Sequence, residues 1–444
     1  MNSLERLKKN LPAEIISTNP YVLDAAARDE SGMDAVRPLS VVRPLNEAHC
    51  IATVRTCLET GTALVPRGAG TGLEGAAIPS KDCIVIDMTG MDRVLHTSME
   101  DHFVLVEPGV IYDNLNNRLR DTGLFFPPSP GGSSDTATIG GMVATNASGI
   151  YAYRYGGTGR WVRSLRVITG SGECLDIGTQ APKSSTGYNL VDLFVGSEGT
   201  LGIITRIGME LAPMPQERLQ MAFFFDSLNH AVAAAVEMAW AIPELAAIEL
   251  MDLNTAELVR AFMDIDMQVG TGIFIEFHAA HKVPAALVEL TGQVAGDHGG
   301  RPAQVNDPWR IRHFGTRAVT AKYTHLVRTD AGVPLSALTE YINWAIDYAS
   351  PKPVYAFGHV GIGILHLLMP FDPADRSDTR AAMEFKKQAA LKAISLNGTV
   401  SGEHGIGIGN LDFAIQQYGE ALPYMKRIKA VFDPNGIMNP GKVI

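Results

Sequence analysis

The chain has 444 residues, of which 46% are apolar and 19% charged. That exceeds what one ordinary hydrophobic core holds, so two or three domains are expected. The formal charge is −10, and no Lys/Arg block is longer than a pair such as Lys8-Lys9 or Lys386-Lys387. This excludes the concentrated positive surface on which nucleic-acid affinity rests, and an anionic substrate must be captured by individual Arg or Lys side chains. No apolar run approaches the ~18 residues that suggest a membrane span. The mixed Lys/Glu stretch Met1 to Leu11 lacks the apolar centre of a signal peptide. Cys50, Cys57, Cys83 and Cys174 stand far apart without a C-x-x-C. They give no iron–sulfur spacing and no disulfide framework, and read as small buried hydrophobes in a reducing cytoplasm.

In chain order, a helix is expected over residues 46 to 59, capped by Asn46, with Ile51, Val54 and Leu58 on one face. A strand at Ala63 to Val65 leads into Gly68, Gly70, Gly72 and Gly75. Strands at Cys83 to Met88 and Phe103 to Glu107 precede a helix from Asp113 to Asp121 that closes at Gly123. Arg166 to Thr169, Leu193 to Val195 and Ile203 to Leu211 supply further strands. Pro213-Met214-Pro215 marks a domain boundary. Beyond it, strands are expected at Gln220 to Phe225, Ala247 to Met251 and Gly272 to His278. Helices are expected at His230 to Ala241, Ala285 to Ala295, Leu335 to Tyr348, Asp375 to Leu396 and Ala421 to Val431. That mixture predicts an α+β domain, an antiparallel sheet covered by helices.

Gly70-Thr71-Gly72-Leu73-Glu74-Gly75 matches G-x-G-x-x-G after a strand. The dinucleotide fingerprint also needs a helix opening at the loop. Only Ala76, Ala77 and Ile78 precede Pro79, so there is no room for one. Successive backbone amides bind phosphate without a helix, as a nest. Pro66-Arg67-Gly68-Ala69-Gly70-Thr71-Gly72 suits that role. So do Thr138-Ile139-Gly140-Gly141-Met142 with Asn146-Ala147-Ser148-Gly149, and Gly196-Ser197-Glu198-Gly199-Thr200-Leu201-Gly202. A structural turn is the minor, competing reading of each alone, and it weakens further for the three together, which suit a long, bent cofactor.

Near the C-terminus stand Gly358-His359-Val360-Gly361-Ile362-Gly363-Ile364-Leu365-His366 and Gly402-Glu403-His404-Gly405. Any one of these histidines alone is more simply a satisfied core or surface residue. As a set, two imidazoles, a carboxylate and a third imidazole flanked by glycines can converge into a metal site with a general base beside it. The odd spacing of His359 and His366 puts them on opposite faces of a regular strand, so Gly361 and Gly363 must bend the chain if both bind one ion.

The ordered motifs PRGAGTGLEG, TIGGMVATNASG, GSEGTLGIIT, GHVGIGILH and SGEHGIG resemble the FAD-linked oxidases of the vanillyl-alcohol-oxidase/PCMH type. The likeness is to the branch of D-lactate dehydrogenase, D-2-hydroxyglutarate dehydrogenase and the glycolate oxidase flavin subunit, and runs from about Pro38 to Asn439-Pro440-Gly441-Lys442. It implies an N-terminal helical segment (1–33), a two-subdomain PCMH-type FAD-binding domain (34–215), an antiparallel-sheet cap carrying substrate (216–400) and a C-terminal segment returning to the flavin (401–444). The cofactor residues it implies are Pro66, Arg67, Gly68, Ala69, Gly70, Thr71, Gly72, Thr138, Gly140, Gly141, Asn146, Gly149, Glu198, Gly202, Ile203 and Asn439. Members that attach FAD covalently use a histidine; none lies in Pro66 to Gly75, so non-covalent FAD is expected.

The resemblance also assigns His359, His366 and Glu403 to a divalent metal, Zn or Mn, and His404 to acid/base work. Arg312 matches the family's W-x-x-R in Trp309-Arg310-Ile311-Arg312, with Thr316 following on the same helical face, and Arg328 stands where relatives carry lysine. These three are the expected substrate-binding residues, because an arginine fork binds carboxylate in two-pronged fashion. Surface ion pairing is the plainer role for either arginine. The family's G-H-x-G-D-G-N-x-H departs here, with Ile362 for Asp and Ile364 for Asn. If those neighbours orient the imidazoles, metal affinity falls; if they line the pocket, the substrate tail is less polar than that of 2-hydroxyglutarate.

The implied reaction is oxidation of a D-2-hydroxy acid, D-lactate or a larger apolar homologue, to the 2-oxo acid by hydride transfer to the flavin. The electron acceptor is expected among electron-transferring flavoprotein, a quinone and a cytochrome, and family habit suggests a homodimer. A vanillyl-alcohol-type phenol or alcohol oxidase, a non-catalytic flavin subunit of an electron-transfer complex and an NAD enzyme are the competing readings.

Overall fold

In the computed structural model of the chain, residues 2–265, 267, 269–305 and 307–444 are described. They form two compact units. The first takes Met1–Ser148, Gly157–Pro213 and Glu403–Ile444, and the second takes Gly149–Gly156 and Met214–Gly402. The Pro213-Met214-Pro215 boundary coincides with a unit limit. The short stretch Gly149–Gly156, expected within the first domain, groups with the second unit instead.

Within the first unit, the strands Ser40–Val42, Ile84–Asp87 and Leu64–Arg67 run parallel, and Ile16–Ser17 adds an antiparallel edge. The helix Glu47–Thr60 packs on this sheet. The Asn46 side chain accepts from the His49 amide, and Gly61 closes the helix at φ +63°, a conformation that glycine adopts without a Cβ clash. A second, antiparallel sheet orders Val94–Ser98, Phe103–Val106, Gly202–Glu210, Val162–Thr169 and Cys174–Gly178. The closing segment returns to the first sheet: the Leu64 amide donates to the Ile437 carbonyl at 2.8 Å and Asn439 donates back to Leu64 at 2.9 Å. The expected strand Leu193 to Val195 is instead a helical turn, Val191–Phe194, which buries Val191 and Phe194. Three apolar residues fix no periodicity, and the i, i+3 burial decides for helix.

Among the described residues, the second unit holds a seven-stranded antiparallel sheet. Its order is Arg301–Pro302, Glu217–Phe225, Thr271–Ala279, Leu245–Met251, Tyr355–Gly358, Ile364–Pro370 and Leu326–Gly332. Successive side chains of a strand point to opposite faces, and the charged residues of this sheet fall on one of them, beside smaller apolar clusters around Phe274 and Phe357. One face carries Ile248, Leu250, Ile273, Ile275, Phe277, Val327, Ala331, Leu365, Leu367 and Met369. It packs under the helices Leu228–Ala241, Ala285–Asp297, Leu338–Ala349 and Arg376–Ser395 as one apolar core. Each such large side chain contributes about 1.5–3 kcal/mol on burial. The other face carries Arg218, Gln220, Glu249, Glu276, His278, Arg328, Asp330 and His366, as the strand register requires.

Candidate active site

The polar face of that sheet is built around two carboxylate–imidazole pairs. His359 follows the strand Tyr355–Gly358, and a single turn, Val360–Ile362, carries the chain into the strand Ile364–Pro370. Gly363 closes the turn at φ +77°, where an added Cβ would lie 2.0 Å from the Val333 carbonyl oxygen. The turn brings the two rings together as the spacing demanded: His359 and His366 meet edge to face with centroids 5.4 Å apart. Each ring faces a carboxylate through Nδ1. His359 Nδ1 lies 2.7 Å from Glu249 Oε1, and His366 Nδ1 lies 3.5 Å from Asp330 Oδ1. The Ser401 hydroxyl donates to Asp330 Oδ2 at 2.8 Å. An imidazole held through Nδ1 offers Nε2 as its ligand atom, the usual arrangement of a metal-binding histidine with an outer carboxylate.

These carboxylates settle what Ile362 and Ile364 mean for ring orientation. Neither position supplies it; residues from other strands do. Ile364 is buried on the same face as His366 and packs against Gly402, whose added Cβ would meet it at 2.7 Å. An apolar side chain thus stands on the same strand face as His366.

Arg312 lies on the helix Pro308–His313, 6% exposed. Its Nη2 donates to Glu249 Oε2 at 2.6 Å, and its Cζ sits 5.2 Å from the centroid of the Phe357 ring. Its buried Nε has no hydrogen-bond partner among the described residues. The Nε of Arg328, on the strand that carries Asp330, is buried and unpartnered in the same sense. Buried donors without an acceptor cost free energy unless a ligand supplies one, and a carboxylate is the natural partner of a guanidinium. Thr316 departs from expectation. The helix stops at His313, Phe314 intervenes, and Thr316 lies exposed on a second helix, Gly315–Lys322.

Farther along the same face, His278 Nε2 lies 2.7 Å from Glu276 Oε1, the Tyr155 hydroxyl lies 2.9 Å from His278 Nδ1, and Gln220 donates to Glu276 Oε2 at 2.9 Å. Burial lowers the pKa of His278 despite Glu276. Glu276 itself sits below its ordinary value, because the hydrogen bonds from His278 and Gln220 outweigh its burial. Glu249, Glu276 and His278 were not singled out from sequence. The available signal was a lone charged residue inside an apolar strand such as Leu245–Met251, because charge in such a place must be paired.

In the first unit, Glu403 accepts from the Ser148 hydroxyl at 2.9 Å, and His404 Nε2 lies 3.6 Å from Glu403 Oε1. Glu403 directly follows Gly402, whose amide donates to the Asp330 carbonyl at 2.6 Å within the second unit.

The glycine loop after Leu64–Arg67 runs to Ile84–Asp87 with no helix. Its amides from Gly68 to Gly72 donate to no acceptor among the described residues, so they form an open run of donors suited to a phosphate group. Gly70 sits at φ +76°, and an added Cβ there would collide with the guanidinium of Arg67, which folds back to donate to the Arg28 carbonyl at 2.8 Å. Beside the loop, an added Cβ on Gly68 would lie 2.4 Å from Thr138 Oγ1, and Thr138 caps the helix Ile139–Thr145 by accepting from the Gly141 amide. Gly140 donates to the Pro108 carbonyl, and Asn146 Oδ1 accepts from the Gly159 amide. Gly149 falls in the second unit.

The third glycine segment is no open nest. The amides of Gly196 and Glu198 donate to the Val143 and Ala144 carbonyls. Gly202 and Ile203 lie in a strand paired with Ile168 and Thr169. Glu198 works through its carboxylate, accepting from the amides of Ile406 at 2.5 Å and Gly407 at 2.8 Å. Burial pushes its pKa up to about 7, against the pull of those two amides. Asn439, at φ +38°, donates to the carbonyls of Ala76 and Glu198 and accepts from the buried ammonium of Lys442. The closing segment is thereby tied to both glycine-rich strips.

Residues 214–443 match the family described as FAD linked oxidases, C-terminal domain, and residues 38–178 match an FAD binding domain. A protein from Danio rerio named probable D-lactate dehydrogenase, mitochondrial, is 35% identical over 97% of this chain and 89% of its own length. A D-2-hydroxyglutarate dehydrogenase from Stutzerimonas stutzeri is 28% identical over 99% of this chain and 98% of its own. Among solved structures, p-cresol methylhydroxylase with substrate bound superimposes with a TM-score of 0.80, covering 99% of this chain and 96% of that one at 16% identity. This last likeness is one of fold, the PCMH type.

Proposed function

The chain belongs to the FAD-linked oxidases, and on that premise we propose that it oxidises a D-2-hydroxy acid to the 2-oxo acid. The observation that carries this reading is the sheet face that bears His366 and Arg328, with His359 at the turn beside it and Arg312 packed over Phe357 from the helix Pro308–His313. Two buried guanidinium nitrogens without acceptors offer a seat for the substrate carboxylate. Bound FAD supplies the acceptor for the C2 hydride, and a bound divalent metal supplies positive charge to the developing alkoxide.

We assign His359, His366 and Glu403 as metal ligands, with Zn or Mn as the ion. The donor set fits: two imidazoles steadied by carboxylates, and a carboxylate one residue beyond Gly402, which is tied to Asp330. These three would hold the ion, which would supply positive charge beside the substrate hydroxyl. His404 takes the hydroxyl proton. Pro66 to Gly72, Thr138, Gly140, Gly141, Asn146 and Asn439 are assigned to the non-covalent flavin. Thr316, being exposed, is the weakest of the substrate assignments. Ile364 beside His366 favours D-lactate or a somewhat larger apolar homologue over a dicarboxylate.

Electrons leave to electron-transferring flavoprotein, a quinone or a cytochrome. No helix among the described residues is long and apolar enough to cross a membrane. Four free cysteines, three of them buried, suit a reducing compartment, and we place the enzyme in the cytoplasm as a homodimer.

Anaerobic bleaching of the flavin band near ~450 nm, a property of oxidised flavin as cofactor, tests the reading across D- and L-2-hydroxy acids, with metal assayed on the same sample. Rapid bleaching by D-isomers alone with one metal per chain is expected. A yellow protein that none of them bleaches would overturn it in favour of the flavin-subunit or phenol-oxidase readings.

A further inference from the structure

We propose that Glu249 is the positioning residue that couples the carboxylate seat to the metal-ligand histidine, a role that rests on the reading above. Glu249 is 0% exposed in a strand, Leu245–Met251, whose other residues are apolar. A carboxylate in such a place is strongly disfavoured unless it is paired and hydrogen-bonded. It is paired twice, through different oxygens: Oε2 accepts from Arg312 Nη2 at 2.6 Å, and Oε1 meets His359 Nδ1 at 2.7 Å.

The two pairings fix separate things. Holding Nδ1 sets the tautomer and aims His359 Nε2 outward as a ligand. Holding Nη2 leaves the Nε of Arg312 unpartnered and keeps its guanidinium over Phe357, the residue opposite His366 across the sheet. One buried anion therefore sets the orientation of a substrate-binding group and a metal-binding group together. Its chain neighbours do not share the task, because Ile248 and Leu250 point into the core on the opposite face.

A purely structural ion pair, fastening the helix Pro308–His313 to the sheet, would look similar in coordinates but not in solution. Glu249→Gln separates the two. A carboxamide has one acceptor oxygen and one donor nitrogen. It can accept from Arg312 or from His359, and then presents its NH2 to the other donor, so it cannot serve both.

The test compares wild type with Glu249→Gln, both purified with FAD. Zn2+ affinity is read by chelator competition, and the D-lactate dissociation constant by anaerobic stopped-flow saturation of flavin reduction. The expected result is unchanged FAD content with Zn2+ affinity ~10–100-fold weaker and the D-lactate constant raised at least ~10-fold. Glu249→Asp, which keeps two acceptors on a shorter stem, is expected to recover part of both, and it carries the test if Glu249→Gln does not fold. Both constants within twofold of wild type in a folded variant, with only the melting temperature lowered, would overturn the inference while leaving the hydroxy-acid reading intact. A wild-type protein that binds no Zn2+ or is not reduced by D-lactate would overturn that reading and this inference with it.

Discussion

The rings of His359 and His366 meet edge to face at 89° although they are seven positions apart in the chain. An extended strand would turn them to opposite faces. The turn Val360–Ile362 and the left-handed Gly363 spend the odd residue, so that His366 returns to the side of Phe357.

Gly363→Ala should undo that return. A non-glycine residue at this φ costs about 1–3 kcal/mol, and the overlap with the Val333 carbonyl adds to it. The expected outcome is a lower melting temperature together with loss of bound metal, checked by thermal denaturation and elemental analysis. A stable variant with full metal content would mean that the turn has room to adapt.

His404→Ala should retain FAD, because the amides that tie the closing segment to Glu198 belong to Ile406 and Gly407. Flavin reduction by a D-2-hydroxy acid should slow by about 10²–10⁴-fold, the usual contribution of a positioned acid/base group. Stopped-flow absorbance measures it, and an unchanged rate would remove His404 from the chemistry.

Arg312 and Arg328 should differ in what their loss costs. Arg312→Ala strands the buried Glu249 carboxylate beside His359 alone, so both fold and affinity suffer, by about 3–5 kcal/mol in stability. Arg312→Lys keeps the charge but not the fork and should restore stability more than substrate affinity. Arg328→Ala should weaken substrate binding about 10–100-fold with little change in melting temperature. Chemical denaturation and substrate titration on the three variants separate these outcomes.

The pH dependence of stability should carry the mark of Glu198 and Lys442. Glu198 rises on folding from an ordinary carboxylate value to about 7, so between about pH 4.5 and 7 the native state holds a proton that the unfolded chain has released, and stability falls as pH rises through that window. Burial lowers Lys442 to about 8. Above that pH the unfolded state binds the extra proton, and stability rises toward pH 10. A minimum between about pH 7 and 8 is expected in melting temperature against pH. Glu198→Gln should flatten the acid limb only; an unchanged acid limb would assign it to other groups.

Much of this architecture was legible in the chain. Asn46 and Gly61 mark both ends of their helix, and the cramped run from Gly75 to Pro79 rules out a helix after the glycine loop. The strands Leu326–Gly332 and Ile364–Pro370 were not assigned as strands, because Arg328, Asp330 and His366 sit at alternate positions and dilute the apolar signal. Charged residues held on one face of a buried strand interrupt the pattern that identifies the element. Glu249 and Asp330 were illegible as partners for a different reason. Each lies on a strand distant in sequence from the histidine it meets, and no local spacing encodes a pairing made by sheet topology. The same distance hides from the sequence that two amides of the segment Gly196 to Gly202, those of Gly196 and Glu198, are taken by the carbonyls of Val143 and Ala144.

The alternation of the seven-stranded sheet divides its positions into two independent alphabets. Odd-numbered residues such as Ile273, Ile275, Val327, Ala331, Leu365 and Leu367 are read by the helical core, while even-numbered neighbours such as Arg328, Asp330, Ile364 and His366 stand on the opposite face. A substitution can be written at Ile364 without editing the letters on either side of it. The stretch around Ile364 can therefore drift in sequence on its own face without disturbing the helical core packed against the other.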